Sequence, residues 1–219
     1  MGGSGDRALP DEGIHQARCI RVIDFGTQET EWQGNKKEQR QVRMVFELVD
    51  TEHVFKEENG PEPFVVSNTY TLSLSEKSHL YNMILKWNKG VIEKLKEENN
   101  ELDMKVFLGA PALINVVHSK DRNGNDWANI GDKGRDVMHR GKQDIPDPKN
   151  PKVYFNVDWL DDDADKADKM IDEDLWPGEK KKVIASIEFK EKRGEYKEPT
   201  AESAEGDEEF EATDEDPGF

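Results

Sequence analysis

The sequence predicts a mainly β domain with a few helices. The expected form is a five-stranded barrel with a helical insertion, a helical C-terminal extension and a disordered acidic tail. Three observations predict it. Several runs rich in Val, Ile, Thr, Tyr and Phe are bounded by turn residues. A helix-periodic stretch interrupts them after the third run. The acidity sits in short blocks instead of being spread along the chain.

At 219 residues the chain holds one ordinary domain plus extensions. Its 34% hydrophobic and 36% charged content is polar enough that part of it should stay unpacked. The net charge of −17 would argue against a nucleic-acid partner if it were uniform. It is not: residues 1–157 carry −3, residues 158–174 carry −7, residues 175–199 carry +2 and residues 200–219 carry −9. The body is therefore near neutral, with acidic appendages. Cys19 is the only cysteine, which excludes an internal disulfide and a thiolate metal cluster. No apolar run reaches the roughly 20 residues that span a membrane, and no signal pattern opens the chain. The expectation is a soluble, cytoplasmic protein whose residues 1–9, beginning Met1-Gly2-Gly3-Ser4-Gly5, are a flexible leader.

His15–Phe25 is the first expected strand, with Arg18 and Arg21 interrupting its alternation. Gly26–Lys37 reads as a polar link, with a turn at Gly34-Asn35 and Trp32 beside it. In Arg40–Leu48 the residues Val42, Met44, Phe46 and Leu48 share one face and Gln41, Arg43, Val45 and Glu47 the other. The link then carries Trp32, Lys36, Lys37 and Arg40, an aromatic among cations on a mobile loop. An acidic loop ending in Gly60-Pro61-Glu62-Pro63 precedes a third strand, Phe64–Leu74. Ser75 is placed to cap a helix whose apolar face is Leu80, Ile84 and Trp87, and Val91–Glu98 suits a second helix.

Phe107–Ile130 reads as a hairpin: Ala112–Lys120 out, Asn123-Gly124 as a two-residue turn, Asp126–Ile130 back. That register pairs Lys120 with Trp127, His118 with Asn129 and Val117 with Ile130. One face then carries His118, Lys120, Arg122 and Trp127, and the other Val117, Ser119, Ala128 and Ile130. A cationic, aromatic face suits base stacking and phosphate tracking; Trp127 equally suits covering the core of a small barrel. Ile114 and Val116 fall on the charged face, which a bend or a bulge would explain. Strand, strand, strand, helix, strand, strand is the order of the five-stranded, partly open barrel called the OB-fold, expected over residues 10–132.

Residues 133–199 are expected as a basic loop and a small helical extension packed on the barrel. Lys133, Arg135, Arg140 and Lys142 lie in the loop, Lys152–Trp159 suits a short strand, and Asp165–Leu175 and Glu179–Lys190 suit helices. Residues 200–219 are too poor in apolar side chains to fold alone. They end Asp214-Glu215-Asp216-Pro217-Gly218-Phe219, an apolar plug and a terminal carboxylate behind a steering run of acids.

Catalytic readings fare poorly. The five histidines, His15, His53, His79, His118 and His139, show no ligand spacing and accompany no nucleophile motif. Asp161, Asp163 and Asp165 begin like a calcium loop, but Lys166 and Asp172 stand where Gly and Glu are needed. Pro146-Asp147 with Glu188-Phe189-Lys190 matches the order of acids and lysine in Mg-dependent nucleases of the PD-(D/E)xK kind. That nuclease is one alternative; an acidic protein-interaction module that mimics DNA is another. No catalytic residue, metal or cofactor is assigned.

Body and tail together resemble the replication-type single-stranded-DNA-binding proteins of bacteria and bacteriophages, the phage group most closely. The resemblance rests on Gly13-Ile14-His15-Gln16-Ala17-Arg18-Cys19 leading into Asp24-Phe25-Gly26-Thr27-Gln28. It continues through Tyr70-Thr71-Leu72-Ser73-Leu74-Ser75-Glu76-Lys77-Ser78, the strand from Leu108-Gly109 to Val117-His118, and Trp127-Ala128-Asn129-Ile130. It spans about residues 10–190, and the tail departs from the bacterial ending by the inserted Gly218. It implies an OB-fold that coats single-stranded DNA without sequence preference in phage replication, recombination or repair, inside the infected cell. On that basis Trp32, Trp127 and Tyr70 are expected to stack on bases. Arg18, Arg21, Lys36, Lys37, Arg40, Arg43, Lys120 and Arg122 are expected to meet phosphates, with His118 beside them. Asp214, Glu215, Asp216, Pro217 and Phe219 would bind a polymerase, helicase, primase or recombinase. A homo-oligomer is compatible with the sequence, and no membrane is involved.

Overall fold

The computed structural model describes residues 8–32, 35–97, 103–120, 124–131, 134–139 and 144–194. It is mainly β with a few helices. Two long strands, β1 (Gly13–Trp32) and β2 (Asn35–His53), are followed by β3 (Glu62–Thr71). Two helices, α1 (His79–Trp87) and α2 (Lys89–Glu97), and a 3-10 turn at Met104–Phe107 lead to β4 (Pro111–Lys120) and β5 (Asp126–Ile130). Short strands β6 (Val137–Met138) and β7 (Val153–Phe155) precede α3 (Trp159–Asp162), α4 (Ala164–Glu173), α5 (Pro177–Ala185) and α6 (Ile187–Arg193).

The strands form one sheet in the order β3-β2-β1-β4-β5, with β6 on β4 and β7 on β1. β2–β3, β1–β4, β4–β5 and β4–β6 pair antiparallel, and β3 and β5, the ends of the path, come into contact. The described residues fall into two units. One comprises those of Met1–Ile23 and Gln41–Tyr154, the other those of Asp24–Arg40 and Phe155–Phe219.

The first unit is built on the strand faces the sequence predicts. Val42, Met44, Phe46 and Leu48 are all fully buried. In β1, Ala17, Cys19 and Val22 enter the same core, so the inward phase changes between Cys19 and Val22. That phase change is why alternation in β1 is imperfect. Leu80, Ile84 and Trp87 of α1 complete the core. Trp87 lies 5.4 Å edge-on from Phe46 and stacks on Phe107 at 5.1 Å. Its indole N–H donates to the Pro111 carbonyl at 2.9 Å, so a large apolar side chain is buried without an orphaned donor.

Several boundaries differ from expectation; the helix expected over Glu179–Lys190 is broken at Ser186 into α5 and α6. The polar stretch Gly26–Lys37 is not a loop, because both strands run through it and leave only residues 33 and 34 between them. The hydroxyl of Thr30 reaches the Lys37 carbonyl across this hairpin at 3.2 Å. Polar composition is compatible with a ladder whose hydrogen bonds are all main-chain. The cap of α1 is Ser78, whose Oγ accepts from Tyr81 N at 3.0 Å; Ser75 instead closes a preceding turn, its carbonyl accepting from Ser78 N at 2.8 Å. The third strand ends at Thr71, short of Leu74.

In the second unit Phe25, Phe155, Val157, Leu160, Ala167, Ile171, Leu175, Val183 and Phe189 are buried. Pro177 opens α5, and Glu179 returns its carboxylate to the Trp176 N–H at 3.1 Å. Ser186 ends α5 by donating to the Val183 carbonyl at 2.7 Å and starts α6 by accepting from Phe189 N at 3.1 Å.

Candidate nucleic-acid interface

The β4–β5 hairpin pairs one residue out of the expected register. Val116 faces Ile130, Val117 faces Asn129, His118 faces Ala128, Ser119 faces Trp127 and Lys120 faces Asp126. Five residues, 121–125, therefore join the strands, not the two-residue turn at Asn123-Gly124. A one-residue slip moves a strand's side chains to the opposite face. Trp127 leaves the side of His118 and Lys120 and joins Val117, Ser119 and Asn129 on the outward side. Ala128 and Ile130 move to the core side with Ile114 and Val116. The apolar pair on the charged face is thus accounted for. Ile114 and Val116 face the core, and His118 and Lys120 continue the same face past the core's edge, where both are exposed.

Each of those two has local partners. The His118 ring Nε2 donates to the Pro10 carbonyl at 2.8 Å, and its backbone N–H donates to the Glu12 carboxylate at 2.6 Å. Lys120 Nζ pairs across the strands with Asp126 at 2.8 Å, with 65% of its side chain exposed. Trp127 is half-buried on the outward side, and the Asn129 amide donates to the Ser119 hydroxyl beside it.

The outward side of β2–β3 carries Gln41 opposite Thr71, Arg43 opposite Thr69, Val45 opposite Ser67 and Glu47 opposite Val65. The Arg43 guanidinium donates to the Ser67 hydroxyl at 2.9 Å. Gln41 Oε1 is buried and accepts no hydrogen bond among the described residues. Toward Glu47 this side is closed. Glu47 is 1% exposed and accepts from the backbone N–H groups of Lys149 and Asn150 at 2.7 and 2.8 Å and from the Asn150 amide at 2.8 Å. On the neighbouring strand Arg18 donates to the carbonyls of Gly109, Ile145 and Pro146 at 3.0, 2.6 and 3.0 Å and lies 3.5 Å from Asp147. Arg18 and Glu47 together strap residues 145–150 over β1 and β2.

Several expected contact residues are therefore structural. Arg18 is spent on the strap. Arg21 is 3% exposed, beyond the reach of a phosphate. Tyr70 is 2% exposed, and its hydroxyl donates to the Gly134 carbonyl at 2.6 Å; burial pushes its phenol pKa up, and no base can stack on its ring. Arg40 is not on a mobile loop. Its Nε donates to Asp24 at 2.9 Å and its Nη2 to Asp158 at 2.8 Å and to the Asn156 amide oxygen at 3.2 Å. Burial raises the Asp24 carboxyl above its usual range, and the Arg40 hydrogen bonds pull it back part of the way. For Arg40 burial acts to lower the pKa, but the bonds to Asp24 and Asp158 outweigh it and hold the guanidinium charged.

Lys36 and Lys37, at the start of β2, are exposed. The Trp32 side chain, Arg122, Lys133, Arg140, Lys142 and the tail residues Asp214, Glu215, Asp216, Pro217 and Phe219 lie outside what is described. Both oxygens of Glu188 are occupied by Thr27, one by its backbone N–H and one by its hydroxyl, each at 2.7 Å. No group of three or more His, Cys, Asp or Glu among the described residues is arranged to hold a metal ion, and none of their helices is long and apolar enough to cross a membrane. The outward hydroxyls Ser67, Thr69 and Thr71 were not singled out from the sequence. Their alternation with Val66, Asn68 and Tyr70 is the signal that finds them. Against family models, curated proteins and solved structures alike, the chain has no match.

Proposed function

We propose that the chain is a single-stranded-DNA-binding protein built on an OB-type barrel. The observation that carries this reading is connectivity. A β1-β2-β3 meander, a helix before β4, β4 paired with β1, and β5 paired with β4 and near β3 support the reading, since such a barrel would have this connectivity. Oligonucleotides bind such barrels over outward strand faces that offer aromatic rings and cations.

In this reading Trp127 is the stacking ring, flanked by Ser119 and Asn129. Arg43 meets phosphate beside the hydroxyls of Ser67 and Thr69, with His118 and Lys120 at the rim; the exposed cations Lys36 and Lys37 belong to the other unit and meet phosphates independently. Arg18, Arg21, Arg40 and Tyr70 are left out, since each is committed to the fold. Stacking and phosphate contacts carry no base code, so binding is without sequence preference. The protein coats and protects single strands in phage DNA replication and recombination within the host cell. Its acidic tail, through Asp214–Asp216, Pro217 and Phe219, recruits a replication or recombination enzyme.

Fluorescence anisotropy of labelled oligo-dT tests this, at low and high salt, for the full chain, a 1–199 truncation and Trp127→Ala. The expected result is salt-sensitive binding that strengthens on truncation and weakens about 5- to 100-fold without Trp127. Absence of oligo-dT binding by both the full chain and the truncation would refute the function. Binding that ignores Trp127→Ala would refute the assigned face.

A further inference from the structure

The end of β2, the start of β3 and the connection between them each carry a ring that the nucleic-acid reading does not use. β2 ends at His53 directly opposite Glu62. The His53 ring stacks on Phe64, centroids 5.8 Å apart and planes at 29°. Phe55 meets Phe64 edge-on at 5.2 Å and His53 at 5.0 Å. Phe64 is 8% exposed and belongs to the core, so it anchors the group, whereas Phe55 is 44% and Val54 46% exposed. An exposed phenyl ring held by two others is already ordered, and little entropy is left for a ligand to remove.

The charge around this platform is negative. Residues 52–62 hold Glu52, Glu57, Glu58 and Glu62 against one cation, Lys56. Lys149 pairs with Glu52 at 2.7 Å, and the Asn59 amide donates to Glu62 at 3.4 Å. That sign repels phosphates, which separates the platform from any nucleic-acid face, and it repels the chain's own acidic tail. What it complements is a positive segment with an apolar anchor.

We propose that the loop spanning His53–Phe64 is a docking site for a cationic, apolar-anchored peptide segment of a partner protein. The anchor rests on Phe55 and Val54, and flanking Arg or Lys side chains face Glu57 and Glu58. An arginine at the anchor gains from the ring face as well. Partners recruited here need not compete for the C-terminal tail.

The test uses the full chain labelled with ¹⁵N and a short peptide of alternating arginine and leucine, with an arginine–serine peptide of equal charge as control. The expected result is amide shifts across residues 53–64 with the arginine–leucine peptide and weaker binding of the control. Phe55→Ala should lower affinity about tenfold, and the Glu57→Lys/Glu58→Lys double variant should lower it comparably. Oligo-dT binding should be unchanged in Phe55→Ala. The proposal is overturned if shifts are confined to residues 200–219, if both peptides bind alike, if neither variant loses affinity, or if the peptide does not bind.

Discussion

Glu47→Ala should be among the most damaging single substitutions in the first unit. The carboxylate is 1% exposed and takes three hydrogen bonds of 2.7–2.8 Å from Lys149 and Asn150. A hydrogen bond to a charged acceptor nets roughly 1.5–3 kcal/mol. The three share one carboxylate, whose own desolvation cost disappears with it, so their sum is an overestimate. A loss of about 3–4 kcal/mol is expected, a large part of the 5–15 kcal/mol typical of a domain. Glu47→Gln keeps the shape and one acceptor but turns an NH₂ toward a backbone N–H, for about 2 kcal/mol. Urea unfolding of the full chain followed by tryptophan fluorescence gives the energies. Amide exchange at Lys149 and Asn150 locates them. Unfolding of Glu47→Gln within about 0.5 kcal/mol of wild type would refute the argument, because the strap would then not depend on the buried charge.

Other substitutions probe the remaining contacts. At Gly26 the backbone has φ 71°, and an added Cβ would sit 2.7 Å from Glu188 Oε2 and 2.9 Å from Ser186 Cβ. Gly26→Ala should therefore cost about 3 kcal/mol in thermal or urea unfolding, from left-handed strain plus displacement of the Glu188–Thr27 bonds. Tyr70→Phe removes the donor to the Gly134 carbonyl and should cost about 1–2 kcal/mol, read by the same unfolding curves. Because the folded Asp24 carboxyl titrates above the unfolded value of about 3.9, the native state holds that proton more tightly. Its contribution is fully present below the unfolded value and is lost as pH rises through the folded one. Stability measured from acid toward neutral pH should therefore fall less steeply, or rise more, in Asp24→Asn than in wild type. Replacing Lys36 and Lys37 together by Ala should reduce the slope of log affinity against log salt by about 1.4 for oligo-dT, at about 0.7 per phosphate contact.

Strands whose one face is uniformly apolar were legible. Val42–Leu48 and the Leu80, Ile84, Trp87 stripe of α1 fall where periodicity puts them. What composition could not disclose is pairing. Asn123-Gly124 carries the residues of a two-residue turn, yet the ladder closes between Lys120 and Asp126, because burying Ala128 and Ile130 with Ile114 and Val116 outweighs the turn's local preference. The misfit of Ile114 and Val116 was the visible trace of that choice. The surroundings of three arginines were illegible for a related reason. Nothing in Arg18, Arg21 or Arg40 says whether the guanidinium meets solvent or a partner more than 100 positions away, as Pro146 is for Arg18 and Asp158 for Arg40.

The hairpin shared by both units has a consequence in time. Asp24–Arg40 belongs with residues from Phe155 onward, so on the ribosome its ladder emerges long before the helices of its own unit exist. At 5–20 residues per second the interval is on the order of ten seconds. Through that wait Phe25 and the Arg40–Asp24 pair lack the companions that bury them in the finished chain. The segment Gln41–Tyr154 of the first unit is complete meanwhile, so until the later helices emerge Asp24–Arg40 is the part of this ladder left open to proteases and to association with other copies.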